Sequence, residues 1–179
     1  MMRGARSSWE DPMLRALNEA HVARDLNEVP VGAVVLNQDG TILAAAHNRT
    51  LSTQDPAGHA EILALRNAAM TQGNHRLSGC ILVVTLEPCL MCLGALVQAR
   101  IAGLVFGARD HKAGAILSRL NVNDLEWLNH RFWVIEGVLA DECSDLLSSF
   151  FAGRRKNHSA KQSHSSLIKQ SSGEVPKWP

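Results

Sequence analysis

Cys89 and Cys92, in the stretch Leu-Glu-Pro-Cys-Leu-Met-Cys at 86–92, form a Cys-x-x-Cys pair with no second pair to complete it. That incompleteness constrains the chain more than any other feature. Such a pair serves as a redox dithiol, as half of a structural zinc site, or as two ligands of a catalytic metal. A structural zinc site needs four protein ligands. The remaining cysteines are Cys80, inside an apolar run, and Cys143, inside the last helical run. Neither has the spacing of a second knuckle, and both read as small buried hydrophobes. A thioredoxin-type dithiol also opens a helix, but Glu-Pro ahead of the pair and Leu-Met within it disfavour that reading. What is left is a three-ligand site with one open position, the pattern of catalytic zinc.

The third ligand should be a histidine, and the chain has eight. His158 and His164 fall in the C-terminal tail, and His21 and His75 read as surface residues. His47, His111 and His130 could line a site. His59 stands out because it begins a helical run and is followed by Glu61. A lone His-x-Glu is weak, since chance pairs are frequent; coupled to Pro-Cys-x-x-Cys it is strong. The two half-motifs sit in equivalent places, each at a helix start. Cys89 and Cys92 are i, i+3, so both sulfurs fall on one helical face. Pro88 suits a first turn, having no N–H to lose, and the partial positive charge of a helix N-terminus favours thiolate. His59 and Glu61, about 200° apart on a helix, converge only if His59 reaches forward from the helix end. That puts the carboxylate beside the metal site as a proton carrier rather than a ligand.

The rest of the chain alternates strands and helices. Asp11-Pro12 reads as an N-cap and first helical residue, with Met13, Leu14, Leu17 and Ala20 at helical spacing to about Leu26. Apolar runs at 31–36 and 41–46 around Asp39-Gly40 predict a hairpin. A helix from His59 to Met70, a buried strand at 79–85 and a helix from Pro88 to Ala99 follow, then a strand at 101–107. Residues 108–130 read as a long loop with some helix, 132–138 as a last strand and 140–151 as a last helix. This order predicts an α/β domain in three layers, one mixed sheet of about five strands with helices on both faces. The expected organisation is a flexible segment at 1–9, one domain at 10–156 and a disordered basic tail at 157–179.

Charge and targeting set further bounds. From Arg154 onward there are six Lys/Arg against Glu174, whereas residues 1–153 hold 12 Lys/Arg and 16 Asp/Glu. A basic end on an acidic body reads either as a solvated tail or as a nucleic-acid-binding appendage. No run approaches the ~18 apolar residues of a membrane helix, and no apolar stretch follows the N-terminal basic residues as in a secretory signal. A short organellar presequence stays open. The expectation is a cytoplasmic protein with reduced thiols.

H59-A-E61 with P88-C89-L-M-C92 matches the signature of zinc nucleobase deaminases. From about residue 10 to 156 the chain resembles the bacterial tRNA-specific adenosine deaminases of the cytidine deaminase-like superfamily. V-P-V-G-A-V (29–34), H-N-R (47–49), D-P-A-G-H-A-E-I (55–62), T-L-E-P-C-L-M-C (85–92), F-G-A-R-D (106–110), L-N-H-R (128–131) and A-D-E-C-S-D-L-L-S-S-F-F (140–151) carry the likeness. The zinc signature fixes only the superfamily; F-G-A-R-D and Phe-Phe-x-x-Arg-Arg favour tRNA. The resemblance implies hydrolysis of adenosine to inosine at the wobble position of an anticodon stem-loop by a homodimer. It implies one Zn²⁺ per subunit on His59, Cys89 and Cys92, with Glu61 carrying protons.

By the same resemblance Asn48 would bond the base and Asp110 would contact the preceding nucleotide. Phe150 and Phe151 would pack beside the loop, and Arg109, Lys112, Arg154 and Arg155 would meet phosphates. Plainer readings stand beside these: Asn48 as a strand-end turn residue, the phenylalanines as core, Arg154 and Arg155 as a solvated helix end. Glu87 reads as structural. Three departures from the family pattern touch the surroundings rather than the chemistry: Gly58 for the usual Ala, His111 for a smaller residue, and N-V-N-D-L-E-W (121–127) where proline is common. The competing functions are a free-base or nucleotide deaminase such as guanine deaminase, a silent tRNA-binding subunit, and a structural zinc module.

Overall fold

A computed structural model describes residues 8–166, with side chains described to residue 155. The segment expected at 1–9 lies outside the described residues up to residue 7, and the tail expected at 157–179 lies outside them from residue 167.

Helix α1 (Glu10–Asp25) precedes the hairpin β1 (Gly32–Leu36) and β2 (Ile42–His47). Then come α2 (Ala60–Gln72), β3 (Ile81–Leu86), α3 (Leu90–Ala99), β4 (Gly103–Ala108), β5 (Trp133–Glu136) and α4 (Ala140–Ser166). The expected long loop between β4 and β5 contains one 3₁₀ turn, Val122–Asp124. The strands form one sheet ordered β2-β1-β3-β4-β5. β1 is antiparallel to both β2 and β3, while β3, β4 and β5 run parallel. Parallel neighbours need crossovers, and α3 supplies the one between β3 and β4.

Strand periodicity divides the core. Ala33, Val35, Leu82, Val84, Leu104 and Phe106 meet Ala60, Ala64, Leu65, Ala68, Leu93, Leu96 and Val97 of α2 and α3. Val34, Leu36, Val83 and Val105 meet Met13, Ala16, Leu17 and Ala20 of α1 and Cys143 and Leu146 of α4. Alternate side chains thus face opposite helical layers, giving the expected three-layer α/β/α sandwich. Gly32 lets α1 lie directly on β1: a Cβ there would stand 2.0 Å from the Ala16 carbonyl oxygen. No helix among the described residues is long and apolar enough to cross a membrane.

Two boundaries differ from the sequence expectation. Helix α1 begins at Glu10 with Trp9 as its N-cap, so Asp11 lies inside the first turn as an acidic residue rather than capping it. Helix α4 continues past residue 151 to Ser166, since no proline interrupts the backbone there. Residues 157–166, expected as the start of a disordered tail, therefore continue the helix.

Candidate active site

The leading ligand of each half-motif sits immediately before a helix, one step earlier than the sequence expectation. His59 is the N-cap of α2 with an extended backbone (φ −75°, ψ 147°), and Cys89 is the N-cap of α3 (φ −76°, ψ 175°). Pro88 therefore precedes the cap instead of opening the helix. The 200° divergence of His59 and Glu61 does not arise, because only Glu61 is helical.

The three donor atoms make a compact triangle. His59 Nδ1 lies 3.7 Å from Cys89 Sγ and 3.5 Å from Cys92 Sγ, and the sulfurs are 3.7 Å apart. Tetrahedral zinc, with bonds of about 2.3 Å to sulfur and 2.0–2.1 Å to nitrogen, spaces its ligands by roughly 3.8 Å (S to S) and 3.6 Å (N to S). The donor set fits that metal in type, number and spacing. Among the described residues these are the only His, Cys, Asp and Glu side chains that converge in this way. Without a cation the triangle holds its charge unevenly. The hydrogen bond from Cys92, helped by His59, holds the Cys89 thiol down to about 3. The neighbouring Cys89 sulfur, then burial, push Cys92 upward. His59 is raised, chiefly by its bond to Cys89.

Glu61 is 4% exposed. Burial raises its carboxyl above the usual glutamate range, opposed by its own backbone N–H and by His59. An acid–base shuttle works best with its pKa moved toward the working pH, and burial shifts Glu61 in that direction. A cavity of about 220 Å³ opens over this group, lined by Val29, Val31, Asn48, His59, Glu61, Leu86, Cys89 and Asp110 among others. It is smaller than the ~300–1,000 Å³ clefts that enclose drug-sized ligands, which suits one flat ring bounded by apolar walls.

Asn48 both builds and lines this cavity. Its Oδ1 accepts the Ala60 N–H at 2.8 Å, capping α2 from outside, and no hydrogen bond within the described residues uses its Nδ2. Asp110 Oδ1 accepts the N–H groups of Lys112 (2.9 Å) and Ala113 (3.2 Å), tying a tight turn at the rim. The cavity lining does not include Arg109, Lys112, Phe150, Phe151, Arg154 or Arg155. Arg109 is held by a two-point pair to Glu136, with Nε–Oε2 2.6 Å and an outer nitrogen to Oε1 2.7 Å. Phe150 and Phe151 pack edge to face at 5.5 Å, and the Arg154 guanidinium stands 5.2 Å from the Phe150 ring centre. Neither phenylalanine belongs to the apolar layer beneath α4, and Phe151 is exposed.

Two buried glutamates hold the rims, and sequence reasoning missed Glu28 and left Glu87 without a partner. Glu28, fully buried, accepts from Leu51 N (2.9 Å), Ser52 N (2.6 Å) and Thr50 Oγ1 (3.2 Å). Glu87 does the same for residues 110–118. The only local signal is a carboxylate in an apolar setting just before a proline, Glu28-Val-Pro and Glu87-Pro. Burial pushes the Glu28 carboxyl up, but the bonds from Ser52, Leu51 and Thr50 outweigh it and leave it lowered. Its stabilising contribution is therefore complete above the ordinary value of 4.5 and fades as pH falls through the lower folded value. Glu28→Gln should cost about 3 kcal/mol of unfolding free energy at pH 7. Urea midpoints at pH 7 and pH 3 should also differ less for the variant; an equal pH dependence would contradict this account.

The fold and its three-donor, one-carboxylate site define a metal-type nucleobase deaminase. The MafB19-like deaminase family model matches residues 7–155. The tRNA-specific adenosine deaminase of Haemophilus influenzae is 48% identical over 152 residues, covering 84% of this chain and 88% of that one. The same-named enzyme of Bacillus subtilis is 43% identical, covering 83% and 91%. A structure solved in a study of A-to-I editing by tRNA:A34 deaminases superposes with a TM-score of 0.74 at 40% identity, over 76% of this chain and 99% of that one. A guanine deaminase from Nitrosomonas europaea reaches 0.71 at 29% identity, over 84% and 87%. The chain belongs to the deaminase family and, within it, to the tRNA-specific adenosine deaminases.

Proposed function

We propose that this protein hydrolyses adenosine to inosine at the wobble position of tRNA. It would hold one Zn²⁺ on His59 Nδ1, Cys89 Sγ and Cys92 Sγ. The observation that carries the reading is the donor triangle with buried Glu61 beside it under a ring-sized cavity. When bound, zinc supplies a Lewis acid that lets water lose a proton near neutral pH. Glu61 takes that proton and delivers it to ring N1 of adenine, then takes the second proton from the oxygen added at C6 and gives it to the amino group, which leaves as ammonia. Oxygen from water replaces nitrogen, so adenosine and water give inosine and ammonia. Val29, Val31 and Leu86 keep bulk water off the ring, and Asn48 Nδ2 offers a donor to a ring acceptor. Asp110, at the rim, meets the neighbouring nucleotide.

Relatives that act on tRNA support the choice of substrate. So do the exposed Phe151 and the Arg154 guanidinium beside the Phe150 ring on α4, groups suited to stacked bases and phosphates. An anticodon loop presents its base already unpaired, which spares the cost of extrusion from a duplex. In this reading Lys112 and Arg109 add phosphate contacts, Arg109 by exchanging Glu136 for RNA. The catalytic domain spans 10–156 and works as a cytoplasmic homodimer, with 157–179 as a basic appendage. Purified protein given an unmodified tRNA bearing wobble adenosine should yield inosine by mass spectrometry. Turnover of free guanine without inosine in tRNA would reverse the assignment.

A further inference from the structure

Glu87 is 2% exposed and stands between β3 and Pro88, two residues before a metal donor. Its carboxylate accepts five hydrogen bonds, all from residues 110–118. Oε2 takes the Asp110 N–H at 3.1 Å and the Ser118 hydroxyl. Oε1 takes the successive N–H groups of Ile116 (3.1 Å), Leu117 (2.7 Å) and Ser118 (2.9 Å). The backbone around it continues the docking: Ala115 N donates to Pro88 O at 2.8 Å, and Cys89 bridges to Gly114. A Cβ at Gly114 would stand 2.4 Å from the carboxylate, so only glycine lets the loop wrap this closely.

We propose that Glu87 is a positioning residue for the substrate. It fixes the Asp110–Ser118 loop relative to Cys89 and so sets where Asp110 and Ala113 stand over the cavity. Its oxygens cannot serve the reaction directly, because each already accepts loop donors. Its effect must pass through the loop, and above all through Asp110, whose own N–H it holds. The proposal rests on the tRNA reading for its kinetic test but not for its structural one.

Glu87→Gln separates these roles. The amide oxygen can serve the Ile116–Ser118 donors, and the amide nitrogen can donate to Ser118 Oγ. The Asp110 N–H then has no acceptor. Loss of one bond to a charged acceptor should lower kcat/KM roughly ten- to hundredfold. The loss should fall on KM, with kcat at saturating tRNA within about threefold. Zinc should stay at one per chain. In an Asp110→Ala background, the same change should have almost no further effect on KM, because the side chain being positioned is gone. Ser118→Ala, which removes one donor to Oε2 and leaves the Glu87 carboxylate in place, should show the same pattern more weakly and guards against misfolding of the glutamine variant. A drop confined to kcat, or a full penalty persisting without the Asp110 side chain, overturns the proposal. Should wild-type protein form no inosine, the functional reading fails, and amide hydrogen exchange then decides the role of Glu87. Faster exchange at residue 110 in Glu87→Gln upholds it; unchanged protection there overturns it.

Discussion

Changing Glu61 to glutamine is expected to reduce inosine formation by roughly 10⁴-fold or more while zinc stays near one per chain. Glutamine keeps the shape of a side chain that is only 4% exposed, so packing around the first turn of α2 survives. What disappears is the group that accepts and returns protons. General acid–base help from one residue is worth about 10²–10⁴, and in the proposed reaction Glu61 acts at the water, at N1 and at the departing amine. The expected loss therefore lies at or beyond the upper end. The donor triangle is complete without Glu61, since its three atoms already have the spacing of a zinc ligand set. Metal analysis by mass spectrometry decides the matter: a variant that has lost its zinc would show Glu61 to be a ligand.

That site was legible because its chemistry is written in residue type. Only histidine and cysteine supply such donors, and helical periodicity placed them at two helix starts, within one residue of the caps they occupy. The fold was legible because apolar strand runs alternate with helical ones along the chain, whereas the division of β1, β3 and β4 between two helical layers appears only in the folded chain. Glu28 and Glu87 were not legible in this way. Their partners are mostly backbone N–H groups of loops 22 to 31 residues away, and a backbone donor has no sequence. Asn48 shows both sides: its motif pointed to a base contact, yet only the folded chain shows that its oxygen caps α2. Arg109 is parallel to this. Its sequence says cation, but adjacency of β4 and β5 delivers Glu136 to it, so the free protein presents an ion pair there. That exposed pair is worth only about 0–1 kcal/mol, which makes its exchange for phosphate inexpensive.

The incomplete Cys-x-x-Cys pair carries the second large effect. Cys92→Ala should leave a protein that no longer holds stoichiometric zinc and forms no measurable inosine. Cys92 is fully buried in the first turn of α3 and supplies one corner of a triangle whose other two corners come from separate helix starts. Removing it leaves one nitrogen and one sulfur, too few donors for a zinc site of this type. Zinc held on this triangle would join α2 to α3, so its loss should reach stability as well. A ligand that binds only the folded state at 1,000 times its dissociation constant contributes about 4 kcal/mol. In a chain of this length that corresponds to a melting temperature change of roughly 10 °C. Chelation should lower the wild-type melting temperature by about that amount, and added zinc should restore it. The Cys92→Ala protein should melt near the chelated value and respond to neither treatment. Melting that is indifferent to chelation in the wild type, with zinc demonstrably removed, would mean that the helix starts meet without the metal. The triangle would then be preorganised by Asn48, Glu28 and Glu87 alone, and zinc would serve chemistry without holding the fold.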